Sequence, residues 1–182
     1  YNYTVFMQKI LHEFDMNFGG QLTTSAKLDE SDRKRFLISS IMEEAISSSQ
    51  IEGAVTTRKV AKEMLRHKRA PRNKSELMIL NNFNTIQHIR AIAKQPLTEI
   101  TLLEIHKLMT SETLDDPYDE GRFRSDNEVK VVDHVNGNVV HHPPDDNSLP
   151  MLMKELYKLF NDDANEMFIH PVIKASIIHF LI

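Results

Sequence analysis

The chain has 182 residues, 41% of them hydrophobic and 26% charged, which is enough for a packed core and too apolar for wholesale disorder. Lys and Arg total 22 against 26 Asp and Glu, so the net charge is −4 and a surface built mainly to clamp a polyanion is excluded. The lack of cysteine excludes a disulfide framework, a thiol nucleophile and a thiolate-ligated metal, and it fits a cytoplasmic protein.

Val5–Asp15 places Phe6, Ile10 and Phe14 at helical spacing and stops at Gly19-Gly20. Ser31 is the expected N-cap of a long helix that ends at Glu52, with Gly53 as its stop. Further helices are expected from Thr57 to about His67, from Ser75 to Ala93 and from Thr98 to about Thr110. Val129–Val135 and Asn138–His142 are rich in valine and flank Asn136-Gly137, a strong hairpin signal. Pro143-Pro144 cannot extend the ladder. Ser148 is the expected cap of the next helix, with Pro150 in its first turn, and a last helix starts near Pro171. The most apolar stretch, Phe168–Ile182, carries His170, Pro171, Lys174 and His179 and does not read as a membrane span. The expected fold is mainly α with one projecting β-hairpin.

The ends suggest a portion of a longer protein. The first residue is Tyr1, and six of the last eight residues are apolar with no helix cap after them.

Three constellations stand out. Leu37, Ile41 and Ala45 form the apolar stripe of the long helix, and Ser48 and Glu52 fall on the same stripe. Glu52 is therefore expected to point inward, in a last turn where the helix dipole disfavours a carboxylate by roughly 0.3–1 kcal/mol. An inward carboxylate there needs a cation or a function; the plain alternative is a frayed helix end with Glu52 in solvent. The histidines His134, His141, His142, His170 and His179 do not make a metal site. Adjacent His141 and His142 fall on opposite faces of a strand and cannot share an ion. Charge is also segregated: Arg58–Lys74 holds eight Lys or Arg against Glu63, and residues 112–133 hold eight Asp or Glu. The basic segment lacks interleaved aromatics and a reading helix, so a solvated face is the simpler reading, with nucleic-acid binding as a rival.

In chain order, these segments resemble the Fic (Fido-fold) family of AMP-transferring enzymes. Ser48, Glu52 and Gly53 fill that family's inhibitory-helix pattern of Ser or Thr, three residues, Glu, then Gly or Asn. Gly121-Arg122-Phe123-Arg124 resembles the Gly-x-Phe-Arg that precedes the family's β-hairpin flap, and Pro171–Ile182 resembles the helix leading into its catalytic loop. The motif His-Pro-Phe-x-Asp-Gly-Asn-Gly-Arg-x-x-Arg is absent, since His170-Pro171 is followed by Val172-Ile173-Lys174. The resemblance puts that motif just beyond residue 182, so this portion alone is expected to be inactive.

It implies a Fido-like helical bundle with one β-hairpin flap. Residues 1–74 would carry the inhibitory helix (about 32–53), and residues 75–182 would form the first part of the core, with the flap at about 125–144. It also implies AMP transfer from ATP, with Mg²⁺, to a Ser, Thr or Tyr hydroxyl of a protein. Glu52, with Ser48 and Gly53, would compete with the ATP γ-phosphate for an Arg of the missing motif. Val129, Lys130, Val131, Val132, Asn136 and Gly137 would hold the target segment by strand addition, with Gly121, Phe123 and Arg124 positioning them. Self-modification and a homodimer are compatible with this reading, DNA would be met only through a further winged-helix domain, and no membrane is involved. A helical interaction or nucleic-acid-binding module without catalysis is the alternative.

Overall fold

A computed structural model describes residues 3–18, 29–133, 135–161 and 168–181. Its helices are α1 (Val5–Phe18), α2 (Glu30–Ile51), α3 (Arg58–His67), α4 (Lys74–Ile92), α5 (Glu99–Thr110), α6 (Leu149–Asn161) and α7 (Pro171–Leu181). One two-stranded antiparallel sheet, β1 (Val131–Val132) and β2 (Val139–His141), stands between α5 and α6. Among the described residues no helix is long and apolar enough to cross a membrane. Among the described residues the fold is mainly helical with one hairpin, as expected. Gly19-Gly20, His134 and Ile182 lie outside the described residues.

Local chemistry sets most of the helix ends. Thr57 Oγ1 accepts from the Val60 N–H at 3.3 Å and Thr98 Oγ1 from the Thr101 N–H at 3.2 Å, as expected of N-caps. Two starts come earlier than expected. Asp29, not Ser31, caps α2, its Oδ1 accepting from the Asp32 N–H at 2.7 Å. Asn73 caps α4 ahead of Ser75, its Oδ1 accepting from the Glu76 N–H at 2.9 Å. In both cases an Asx side chain two residues upstream reaches the free amide first. Ser148 does not cap α6 with its hydroxyl. A short 3-10 turn, Asp146–Ser148, runs directly into that helix, and Ser148 Oγ donates back to the Asp145 carbonyl at 2.6 Å.

α2 ends at Gly53 as expected. The Gly53 N–H donates to the Gln50 carbonyl at 3.2 Å and the Ala54 N–H to the Ser49 carbonyl at 2.8 Å, with Gly53 at φ +97°. This is a Schellman end, and it needs a residue that tolerates the left-handed region.

The core sits where α2, α3 and α4 meet. Met42 and Ile46 of α2, Ala61, Met64 and Leu65 of α3 and Ile79 of α4 are buried together with Ala54. Polar pins join the same elements: Asn82 Nδ2 donates to Ser49 Oγ at 3.3 Å, and Asn81 Nδ2 reaches the Ser111 carbonyl beyond α5 at 2.7 Å. Asn161, the last residue of α6, both donates to and accepts from the Leu97 backbone, each at 2.7 Å. At α7 the buried His170 accepts from the Val172 N–H through Nδ1 at 3.2 Å and meets Asp15 of α1 through Nε2 at 3.1 Å.

The hairpin is shorter than its sequence suggests. Val131 pairs with His141 and Val132 with Val139, with a bulge between them, so Val129, Lys130, Asp133 and Val135 lie outside β1, while Asn138 and His142 lie outside β2. The turn also begins earlier. Asp133 accepts from the Val135 N–H at 2.8 Å and from Asn136 Nδ2 at 2.7 Å, and its own carbonyl accepts from the Gly137 N–H at 2.8 Å. A carboxylate that captures the next amides pulls the chain out of the strand. Asn136 and Gly137 do lie in the turn, and Gly137 takes φ +74°.

Candidate functional site

Two regions carry the residues singled out by sequence: the end of α2, and the loop and hairpin after α5. Ile41 and Ala45 are buried and Ser48 is half-buried, as the helical phase expects, but Leu37 at the start of the stripe is exposed. Glu52 is exposed, which corrects the expectation that it points inward. The buried face is centred on Ile41, Met42, Ala45, Ile46 and Ser49. Glu52 falls at its edge, one turn past where neighbouring elements cover it. It is the C-cap residue, its N–H donates to the Ser48 carbonyl at 3.1 Å, and among the described residues its carboxylate has no ion pair. A free carboxylate thus stands at a helix end whose dipole disfavours it.

The second region is assembled by the backbone of α5. A 3-10 turn, Pro117–Asp119, returns the chain to that helix at Gly121. The Gly121 N–H donates to His106 Nδ1 at 2.9 Å, and Gly121 has φ +69°. A Cβ there would stand 2.9 Å from Lys107 Cβ and 3.2 Å from the Leu103 carbonyl oxygen, so only glycine fits. Phe123 is half-buried beyond it. Arg124 then joins the two legs of the hairpin: it donates to Asn127 Oδ1 at 2.9 Å, to the Asp126 carbonyl, and across to the Pro144 carbonyl. Asn127 continues the clamp by accepting from the Asp146 N–H at 2.8 Å. Above it Val129, Lys130, Val131, Val132, Asn136 and Gly137 are all exposed, and each strand keeps an unpaired edge among the described residues.

Sequence reasoning missed His106, Asn127, Asp133 and Asp146. Asp133 had a local signal, an Asp shortly before Asn-Gly. His106 had none, because its partner lies fifteen residues away.

The basic segment is partly spent within the chain. Arg58 and Lys62 both pair with Glu43 of α2, and together, Lys62 foremost, they hold its carboxyl below the usual carboxylate range. Arg69 pairs with Glu76 at 2.9 Å and Lys74 with Asp115 at 3.1 Å. Among the described residues no three His, Asp or Glu side chains converge to hold a metal ion.

The chain superposes on the crystal structure of a Fic family protein from Desulfovibrio desulfuricans G20 with a TM-score of 0.70. The fold is that of a Fic family protein. The match covers 100% of this chain at 23% identity, and it spans 51% of the other, about half its length. No family model matches the sequence, and neither does any curated protein. At that identity the likeness concerns architecture, and the Fic-like fold leaves chemistry to be argued from residues.

Proposed function

We propose that this chain is part of a protein AMP-transferase of the Fic type, to which it contributes the helical scaffold, a regulatory helix and a target-binding hairpin. The observation that carries the reading is the Fic-like fold along the whole chain. Within it, Ser48, Glu52 and Gly53 stand at a helix end, and Gly121-Arg122-Phe123-Arg124 stands at the base of a hairpin. In the reaction a Ser, Thr or Tyr hydroxyl oxygen of the target bonds to the α-phosphorus of ATP. The α–β anhydride bond breaks, pyrophosphate leaves, and a base takes the hydroxyl proton. No residue of this chain is assigned as that base or as a metal ligand. The chain's own part is to present the target on the free edge of β1 or β2 and to restrain ATP through Glu52. The exposed carboxylate is available to an arginine of the ATP site, and pairing with it would withhold that arginine from the γ-phosphate. A cytoplasmic location and modification of the protein by itself belong to the same reading.

The test is incorporation of labelled AMP by the complete protein with Mg²⁺, wild type against Glu52→Gly at equal concentration. The variant should incorporate about tenfold more, the effect of freeing one charge-assisted contact. Incorporation that is equal or lower in a folded variant removes the inhibitory role. No incorporation by either protein favours an interaction module without catalysis. Nucleic-acid binding through the basic segment is the weaker rival, since Arg58, Lys62, Arg69 and Lys74 already face carboxylates of the chain.

A further inference from the structure

Gly121 is where the segment leading to the hairpin touches α5, and the contact is specific. Its φ of +69° and the 2.9 Å that would separate its Cβ from Lys107 Cβ bring the backbone close enough to donate to a ring nitrogen. That nitrogen is His106 Nδ1, at 2.9 Å from the Gly121 amide. A nitrogen that accepts an N–H carries no proton, so in this contact Nδ1 is the bare, accepting nitrogen of the ring. Arg124, three residues on, grips Asn127 and the carbonyls of Asp126 and Pro144. Three residues span at most about 10 Å, so a shift at Gly121 passes to the hairpin base with little slack to absorb it.

We propose that His106 is a positioning residue, which through Gly121 sets where the hairpin stands over the body and how its free edge meets a target segment. The second half of this statement rests on the target-binding reading of the hairpin; the first does not. Among the described residues the His106 ring has no hydrogen bond to the hairpin strands, and it acts through the Gly121 amide.

His106→Leu keeps the bulk and removes the acceptor. His106→Asn puts an amide oxygen at the same bond separation from Cβ as Nδ1 and restores it. In the complete protein, amide hydrogen exchange over residues 122–133 and 135–146 should rise about five- to tenfold in His106→Leu, the worth of one neutral hydrogen bond. It should return towards wild type in His106→Asn. The KM for a protein target should rise by a similar factor in His106→Leu with kcat little changed, and His106→Asn should again restore it. A general loss of packing would lower Tm without separating KM from kcat or responding to the asparagine.

Unchanged exchange in His106→Leu, or equal exchange in the two variants, overturns the proposal. Nitrogen NMR of the wild-type ring decides the case even if His106→Leu does not fold: a proton on Nδ1 overturns it, and a bare Nδ1 coupled to the Gly121 amide supports it. Exchange is read without any reaction. A hairpin that responds as expected in a protein that transfers no AMP therefore supports the anchor and removes only the transferase reading.

Discussion

Glu76 is a carboxylate at 3% exposure, and its partners explain how the core tolerates it. Both of its oxygens accept from the Arg69 guanidinium at 2.9 Å, and one also accepts the Arg72 N–H at 2.7 Å. The hydrogen bonds from Arg69, chiefly, hold its carboxyl below the usual range, against burial that pushes it up. A carboxyl whose pKa is lower folded than unfolded adds stability above the unfolded value and loses it as pH falls through the folded one. Tm should therefore be flat near neutrality and fall below about pH 4. Glu76→Gln should lower Tm at pH 7 by roughly 5 °C and show a shallower acid limb. Thermal melts of both proteins from pH 3 to pH 7 check this, and parallel limbs would show that Glu76 is not an acid-sensitive link. Arg69 faces the same way, its guanidinium held further above its ordinary value by Glu76.

At the scale of elements, the starts and stops of helices are matters of a few neighbouring residues. Thr57, Thr98 and Gly53 act as their local chemistry requires, each satisfying amides or carbonyls within the next turn. Gly53→Ala tests the stop. No atom crowds a Cβ at that position, so the cost is backbone strain at φ +97° alone. The variant should lose about 1 kcal/mol in urea unfolding with an unchanged m-value. No loss would mean that α2 ends for a tertiary reason. The hairpin shows the limit of local reasoning: Asn136-Gly137 marks the turn, but the Asp133 carboxylate sets where the strand stops.

At the scale of the molecule, the accessible surface is 14250 Å², where a compact protein of this mass would expose roughly 9,000 Å². Exposed apolar side chains on the helices contribute to the excess. α7 buries none of its residues; Phe180 and Leu181 on it and Phe168 just before it are exposed, as are Phe36 on α2 and Ile100 on α5. Such faces associate in water. Produced as these 182 residues, the chain should bind an apolar-site dye and elute above the 21.1 kDa of a monomer. Light scattering on a size-exclusion column checks it, and a dye-silent monomer would contradict it.

The sequence by itself determined what depends on neighbours within a turn: the seven described helices, the Thr57 and Thr98 caps, the Gly53 stop and the Asn-Gly turn. Periodicity also placed Ile41 and Ala45 correctly on the buried face of α2. It misjudged Glu52, because a helical phase names a face but not how far along the helix a neighbour covers it. Only the tertiary structure decided that coverage. It alone set His106 against Gly121, Arg124 against Pro144, and Glu43 against Arg58 and Lys62, since each contact joins groups that chain folding, not spacing, brings within 4 Å.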